Sequence, residues 1–202
     1  MKIKDLPGKV FVTGTDTDVG KTIISSVFAK EKSASYWKPF QTGDESDTDI
    51  VEKFVKGIKT FPEGYHFKAP LSPYSAAALE NITIDIDYIL ELFYAIPDGP
   101  LVVEGAGGVL VPIKKDFFMS DLIKLFGLPV VIVAKSGLGT LNHTLLTLEH
   151  LRHKGVEEIV VVLNGEKNID NEKIIEKIGQ VEVIPVKYFD LTSHSEAAEN
   201  FF

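Results

Sequence analysis

The residues from 14 to 22 have the types and the spacing needed to hold the phosphates of a nucleotide. They read Gly-Thr-Asp-Thr-Asp-Val-Gly-Lys-Thr and follow an apolar run that is typical of a strand. A phosphate site needs backbone N–H groups at a helix start, a lysine for the β- and γ-oxygens and a hydroxyl for Mg²⁺. Lys21 and Thr22 supply the last two. Five residues rather than four separate the two glycines, and the segment still predicts a phosphate loop.

Carboxylates for a metal ion follow two of the predicted strands. Mg²⁺ at a phosphate site prefers a hydroxyl, one or two carboxylates and waters. Glu104 ends an apolar strand and precedes Gly-Ala-Gly-Gly, while Asp47 and Asp49 follow the second strand. Either aspartate is also suited to capping the next helix. We predict a Mg²⁺ site made by Thr22, Asp49 and Glu104, with Asp47 as the alternative to Asp49.

Short apolar runs alternate with helical patterns along the whole chain. This alternation predicts an α/β fold with a mostly parallel central sheet and helices on both faces. With the phosphate loop, the expected fold resembles that of the P-loop nucleotide hydrolases. Ligands in such sheets lie beyond the carboxyl ends of the strands. We expect one domain over residues 1–202 and an irregular stretch over 58–74. The expected strands cover 10–13, 34–39, 100–104, 109–113, 128–134, 159–163 and 181–186, and the glycine-rich stretch 105–108 is expected to be a turn.

Composition and charge exclude several classes of protein. Hydrophobic residues make up 45% of the 202 residues, which is ordinary globular composition, and there is no Cys for disulfides, iron–sulfur clusters or a thiol nucleophile. The 29 acidic and 21 basic residues give a net charge of −8. We therefore expect no nucleic-acid or membrane partner, since both need a basic face. The sequence shows neither a secretory signal nor an apolar run of the ~18 residues that a membrane span needs, which predicts a cytoplasmic protein.

Lys38 lies at the end of the second predicted strand, and with it the chain resembles a known family. Four motifs occur in the family's order and together resemble dethiobiotin synthetase, over roughly residues 10–186. They are the phosphate loop 14–22, Lys38-Pro39 with Thr42-Gly43, the Glu-Gly-Ala-Gly-Gly run 104–108, and the Gly-Leu-Gly-Thr-Leu-Asn-His run 137–143.

The resemblance implies a reaction in which 7,8-diaminononanoate, CO₂ and ATP give dethiobiotin, ADP and phosphate, with Mg²⁺ as cofactor. An amine captures CO₂ as a carbamate, whose oxygen attacks the γ-phosphate. The second amine then displaces phosphate and closes the ureido ring. Lys38 matches the family's catalytic lysine, and together with Lys21 it can neutralise the γ-phosphate and the carbamate. Such phosphoryl transfer depends on positioning and charge stabilisation.

The resemblance also implies binding residues and a homodimer with the substrate site at its interface. For the diamine substrate these are Thr42 and the residues Gly139, Thr140 and Asn142, the last three holding its carboxylate from the partner subunit. For ATP they are Asp18, Val19, Gly20, Lys21, Thr22, Asp49, Glu104, Gly105, Ala106, Gly107, Asn164, Pro185, Val186 and Lys187.

Two other functions fit the phosphate loop. One is an amide-forming synthase of the same fold that acts on a different acid, and the other is a nucleotide switch of the partition-ATPase type. The segments around Lys38 and 139–143 favour the diamine ligase. The switch usually carries a further lysine early in the loop, where this chain has Thr15, Asp16 and Thr17. The preference for ATP over other nucleotides stays open, as does the role of the terminal pair Phe201-Phe202, either a frayed end or a small docking patch.

Overall fold

A computed structural model describes residues 3–187, and the terminal pair 201–202 lies outside this range. Its main sheet has seven strands, all parallel to their neighbours, in the order β11-β10-β9-β1-β6-β2-β4. A parallel pair β3–β5 and an antiparallel pair β7–β8 stand apart from it. The strands are β1 Lys9–Gly14, β2 Ser35–Trp37, β3 Phe40–Thr42, β4 Thr60–Phe61, β5 Tyr65–Phe67, β6 Leu101–Gly108, β7 Pro112–Lys114, β8 Phe117–Phe118, β9 Val130–Lys135, β10 Ile159–Asn164 and β11 Glu182–Val186.

Helices cover both faces of the main sheet because successive strand residues point to opposite sides. In β1, Val10 and Val12 join one buried cluster and Phe11 joins the other. The first cluster packs against α1 and α2, and the second packs against α3 to α7. The helices are α1 Lys21–Lys32, α2 Asp47–Phe54, α3 Pro73–Leu79, α4 Ile86–Ala95, α5 Met119–Phe126, α6 Thr140–His153 and α7 Ile169–Gly179. The predicted fold class is thus confirmed.

Strand β1 lies at the centre of the sheet, between β6 and β9. The chain first builds the strands on the β6 side of β1 and then continues with β9, β10 and β11 on the other side. A crevice at the carboxyl edge is expected where the direction of winding changes in this way. The phosphate loop leaves β1 at that point.

Four expected elements differ from the structure, and the first is the strand expected over 109–113, of which only Pro112 and Ile113 lie in a strand, β7. The strand expected over 34–39 is shortened to β2, because Lys38-Pro39 interrupts the pairing and a proline has no N–H to give to a sheet, and β3 begins beyond the expected strand at Phe40. The stretch 105–108 is not a turn but the second half of β6, whose Gly108 pairs with Gly14. The stretch 58–74 contains β4, β5 and the start of α3, whose Pro73 suits a first helical position.

Within residues 3–187, no helix is both long enough and apolar enough to cross a membrane.

Candidate functional site

The phosphate loop turns sharply into α1 at Gly20. Gly20 precedes the helix with φ 96°, a left-handed conformation that suits glycine, and Asp18 also has a positive φ of 55°. A Cβ on Gly20 would collide with the side-chain amide of Asn164. The first N–H groups of α1 therefore open onto the carboxyl edge of the sheet, where a phosphate is favoured.

Lys21 folds back over the loop rather than pointing to solvent. Its side chain is buried, and Nζ donates to the backbone oxygen of Asp16 at 3.1 Å. Burial lowers the pKa of Lys21, against the opposing effect of the Glu104 carboxylate. The ammonium group is held inside the loop, where the phosphate oxygens of a nucleotide would be.

Thr22 brings the loop together with two carboxylates from different elements. Its Oγ1 lies 2.9 Å from Asp47 Oδ1 at the start of α2 and 3.0 Å from Glu104 Oε1 in the middle of β6. One hydroxyl proton serves only one of these oxygens at a time. Three oxygen ligands of the kind Mg²⁺ prefers thus converge beside the phosphate loop.

Lys38 forms an ion pair with each of these carboxylates. Its Nζ lies 3.1 Å from Glu104 Oε1 and also contacts Asp47 Oδ2, and both Lys38 and Glu104 are almost completely buried. Burial alone would lower the pKa of Lys38, but the charges of Glu104 and Asp47 outweigh it and raise this pKa. For Asp47, burial opposes and the Lys38 charge prevails, so its pKa is lowered. Lys38 and Asp47 are therefore both charged near neutral pH.

The prediction of Asp49 as a metal residue does not agree with the geometry. Asp49 is exposed, and its backbone N–H donates to Ser46 Oγ as part of the N-cap of α2. Asp47 reaches Thr22 and Lys38 instead because it is the first residue of α2 and faces the sheet edge. The structure thus favours the aspartate that the sequence offered as the alternative.

Two residues of this site were missed by the sequence analysis. Tyr36 is fully buried on β2, and its hydroxyl donates to Glu104 Oε2 at 3.1 Å. Burial and the nearby Glu104 charge raise the pKa of Tyr36 well above its usual range. Its position before Trp-Lys-Pro in an otherwise apolar strand resembles ordinary packing, so the sequence carries no signal for this contact.

Gln41 is the second missed residue. Its buried side chain donates to the backbone oxygens of Thr42 at 3.1 Å and Glu45 at 2.8 Å, and it accepts from the N–H of Asp47 at 3.2 Å. These bonds tie the connection between β3 and α2 to a single side chain. A polar residue inside the short strand after Lys38-Pro39 was the signal that could have identified it.

Among the residues predicted for ATP, Asn164 lies next to the loop. Asn164, at the end of β10, donates from Nδ2 to the Val19 backbone oxygen at 2.9 Å, and it is paired in register with Val186 of β11. Its Oδ1 is buried and has no hydrogen-bond partner among residues 3–187. Pro185 and Lys187 are exposed on either side of the buried Val186.

The predicted substrate residues, together with residues 105–107 predicted for ATP, are spread more widely. Thr42 ends β3, close to Lys38 in sequence, and Gly105, Ala106 and Gly107 continue β6 beyond Glu104. Gly139 precedes α6, Thr140 is buried at its start and Asn142 is exposed. A cavity of about 390 Å³ joins the phosphate loop to the side of α6. The described residues that line it do not include these three but are Thr15, Asp16, Thr17, Gly108, Val109, Leu110, Val111, Pro112, His143, Leu146, Thr147 and His150.

The donor set fits a magnesium ion bound together with phosphates. Among residues 3–187 there is no cluster of three or more His, Cys, Asp or Glu side chains that could hold a metal by itself. Two carboxylates and one hydroxyl are too few for an all-protein cage. They suit an ion that takes its other ligands from water and nucleotide, as Mg²⁺ usually does.

Three curated relatives match this chain over most of its length and share one name. A protein from Paramagnetospirillum magneticum is 48% identical to this chain, and the match covers 87% of this chain and 85% of the relative. Proteins from Lawsonia intracellularis and Agrobacterium fabrum are 44% and 40% identical, with 86% and 84% of this chain and 84% and 81% of those relatives covered. All three are named ATP-dependent dethiobiotin synthetase.

Wider comparisons agree with the fold. Residues 8–186 match the family described as an AAA domain. The crystal structure of the hydrogenase maturation factor HypB from Archaeoglobus fulgidus superimposes with a TM-score of 0.51 at 15% identity, covering 89% of this chain and 80% of that one. This similarity shows the fold alone. With the phosphate loop, the buried Lys38 and the identity to its curated relatives, the chain belongs to the dethiobiotin synthetase family, whose members are ATP-dependent ligases.

Proposed function

We propose that this protein closes the ureido ring of dethiobiotin from 7,8-diaminononanoate and CO₂, with ATP converted to ADP and phosphate, in the cytoplasm. The observation that carries the proposal is the position of Lys38. It lies against Glu104 and Asp47, which also contact Thr22 of the phosphate loop. These contacts support a second ammonium group at the γ-phosphate end of the proposed nucleotide site, where the acceptor substrate would approach.

The nucleotide would bind along the carboxyl edge of the sheet. The N–H groups between Asp18 and Thr22 and the ammonium of Lys21 face the phosphates. The free Oδ1 of Asn164 is a hydrogen-bond acceptor that suits the exocyclic amine of adenine. Residues 105–107 and 185–187 would line the two ends of this path. Asp49 would take no part in this path, because its side chain is exposed.

Thr22, Asp47 and Glu104 are the residues that would hold Mg²⁺. When bound, the ion shields the negative charge shared by the phosphates and the incoming acceptor. Lys21 and Lys38 add positive charge from two sides of the same region. These fixed charges stabilise a phosphoryl transfer in a buried site, where charges act more strongly than in water.

The bonds form and break in three steps. One amine of the diamine attacks CO₂, forms an N–C bond and loses a proton to give a carbamate. A carbamate oxygen attacks the γ-phosphorus, and the bond to the ADP oxygen breaks. The second amine attacks the carbonyl carbon and loses a proton, the bond from that carbon to the phosphate oxygen breaks, phosphate leaves, and the ring closes. Lys38 lies where its charge would hold the carbamate oxygen near the γ-phosphate, which is a positioning contribution.

We also propose a homodimer in which Gly139, Thr140 and Asn142 serve the partner's substrate. Leu110, Leu138 and Leu146 are exposed hydrophobic residues, and two of them line the cavity beside the phosphate loop. A second copy would cover them and bring the N-terminal end of α6 toward the site. Light scattering tests this part, and a monomeric mass at micromolar concentration would contradict it.

The decisive experiment mixes the protein with ATP, Mg²⁺, bicarbonate and 7,8-diaminononanoate, and identifies products by mass spectrometry. Dethiobiotin should form in step with phosphate. A Lys38→Ala variant should release no dethiobiotin while it retains most of its nucleotide binding. Phosphate release that ignores the diamine and yields no ureido product would reject the ligase and favour a different synthase or a nucleotide switch.

A further inference from the structure

The two carboxylate oxygens of Glu104 contact different partners. Oε1 lies 3.0 Å from Thr22 Oγ1 and 3.1 Å from Lys38 Nζ, on the side of the phosphate loop. Oε2 points the other way and accepts a hydrogen bond from the Tyr36 hydroxyl at 3.1 Å. One side of the carboxylate faces the reacting groups, and the other is held by the protein.

The sheet places the phenol where it can do this. Tyr36 of β2 pairs in register with Val102 of β6, and Glu104 is two residues further along β6, on the same face as Val102. Tyr36 and Glu104 are both fully buried. The phenol ring packs among the apolar residues between the sheet and α1, so its hydroxyl has little freedom to move.

We propose that Tyr36 is a positioning residue that fixes the Glu104 carboxylate with Oε1 aimed at the metal and at Lys38. Without the hydroxyl, Oε2 loses this hydrogen bond, and the carboxylate is free to rotate about its last torsion, which is a soft one. Partners that orient metal-ligating carboxylates from behind typically change metal affinity by about 10–100-fold when they are removed.

This inference rests on the proposed Mg²⁺ site, so the experiment measures binding rather than turnover. Calorimetry gives the affinity for ADP over a series of Mg²⁺ concentrations, and the Mg²⁺ concentration at half of the full effect is compared between variants. Tyr36→Phe removes the hydroxyl and keeps the ring. We expect this half-effect concentration to rise about 10-fold or more, while the affinity for ADP in EDTA stays within twofold.

Tyr65→Phe is the matched control. It also removes a single tyrosine hydroxyl that makes a hydrogen bond. This hydroxyl, however, accepts from the N–H of Asp85 at the start of α4. The Mg²⁺ dependence of Tyr65→Phe should equal that of the unaltered protein. If both variants shift equally, the effect comes from a general loss of packing, and the proposal is wrong.

A double-mutant cycle tests whether Tyr36 acts through Glu104. In a Glu104→Gln background, Tyr36→Phe should add little to the loss of Mg²⁺ dependence, whereas an equal and independent loss contradicts the proposal. If Tyr36→Phe alone does not fold, the double variant is compared directly with Glu104→Gln. The neutral amide in both of these variants leaves no buried charge at position 104 without a partner. If unaltered protein binds ADP with no Mg²⁺ dependence, the metal site itself is wrong. If only Tyr36→Phe leaves that dependence unchanged, the role of Tyr36 is wrong.

Discussion

Lys38 and Asp47 show how the charges of the site depend on single residues. Lys38 is buried between two carboxylates, and its positive charge balances them in part. Asp47 and Asp49 are two residues apart in the same helical turn, yet one faces Thr22 and the other faces solvent. The sequence offers both as candidates because it does not record where α2 begins, and a shift of one or two residues in a helix start exchanges the side chain that points inward.

The different surroundings of Asp47 and Asp49 give a prediction, and Asp49, in the same helical turn, provides the control. Asp47→Asn should raise the Mg²⁺ concentration needed for half-maximal turnover about tenfold or more, since it removes a charged oxygen beside Thr22. Asp49→Asn should change it by less than about twofold, because the side chain is exposed. Initial rates over a Mg²⁺ series measure both. A larger effect for Asp49→Asn would restore the assignment made from the sequence.

At the scale of elements, the break between β2 and β3 is the feature that presents Lys38. A continuous strand would direct alternate residues to the two faces of the sheet, whereas the proline after Lys38 ends the pairing with β6 and leads the chain toward the site. The loop that follows is held by Gln41, whose amide satisfies three backbone groups. Neither the break nor the amide contacts follow from hydrophobic periodicity, since both depend on the neighbouring segments.

Removal of the Gln41 amide should loosen this connection. We expect Gln41→Met, which keeps the length of the side chain, to lower the free energy of unfolding by about 1–3 kcal/mol, because three hydrogen bonds lose their partner. Backbone hydrogen exchange over 42–47 should become faster in the same variant. Lys53→Met, at an exposed position of α2, is the control. Unchanged exchange over 42–47 would show that the loop is held by other contacts.

Helix α5 supplies a prediction for pH. Asp121 accepts from the Phe118 N–H at 2.8 Å and pairs with Lys154 at 2.6 Å, and its side chain is only 22% exposed. Burial would raise the pKa of Asp121, but the hydrogen bonds from Lys154 and Phe118 outweigh it and lower this pKa. A lowered carboxyl pKa stabilises the fold above the unfolded value of about 4, and this contribution is lost as pH falls further.

Asp121→Asn should therefore destabilise the protein by about 1 kcal/mol at pH 7, with a difference that shrinks below about pH 4. Urea unfolding at several pH values measures it. Asp87→Asn, at an exposed position in the first turn of α4, should show a much smaller effect at pH 7. An Asp121→Asn deficit that is constant from pH 7 to pH 3 would contradict the role of the carboxylate charge.

At the scale of the whole molecule, the sheet order joins the distant parts of the site. The strands next to β1 carry Glu104 on one side and lead through β9 to Asn164 on the other. The alternation of apolar strands and helices was enough to predict this architecture and the edge at which the site lies. The lateral order was not predictable, because β6 enters between β1 and β2 only after some sixty residues of intervening chain.

Nucleotide binding should stabilise the molecule as a unit, since the phosphate loop contacts residues from both halves of the sheet. ADP with Mg²⁺ at about 100 times its dissociation constant should add about 2.7 kcal/mol, which corresponds to a rise in Tm of about 5–10 °C for a chain of this size. EDTA alone should shift Tm by less than about 1 °C. Differential scanning calorimetry measures both, and a collapse of Tm in EDTA would mean that the fold itself needs a metal ion.

The ammonium group of Lys38 already lies against both carboxylates that would receive the magnesium ion. Arrival of such an ion would therefore be an exchange between two cations, since the carboxylates already have a positively charged partner. Such an exchange would lower the affinity of the two carboxylates for the ion, because the ion would have to replace their attraction to the lysine. An ammonium group displaced from these carboxylates would then be available to the incoming anions once the nucleotide and its ion were in place.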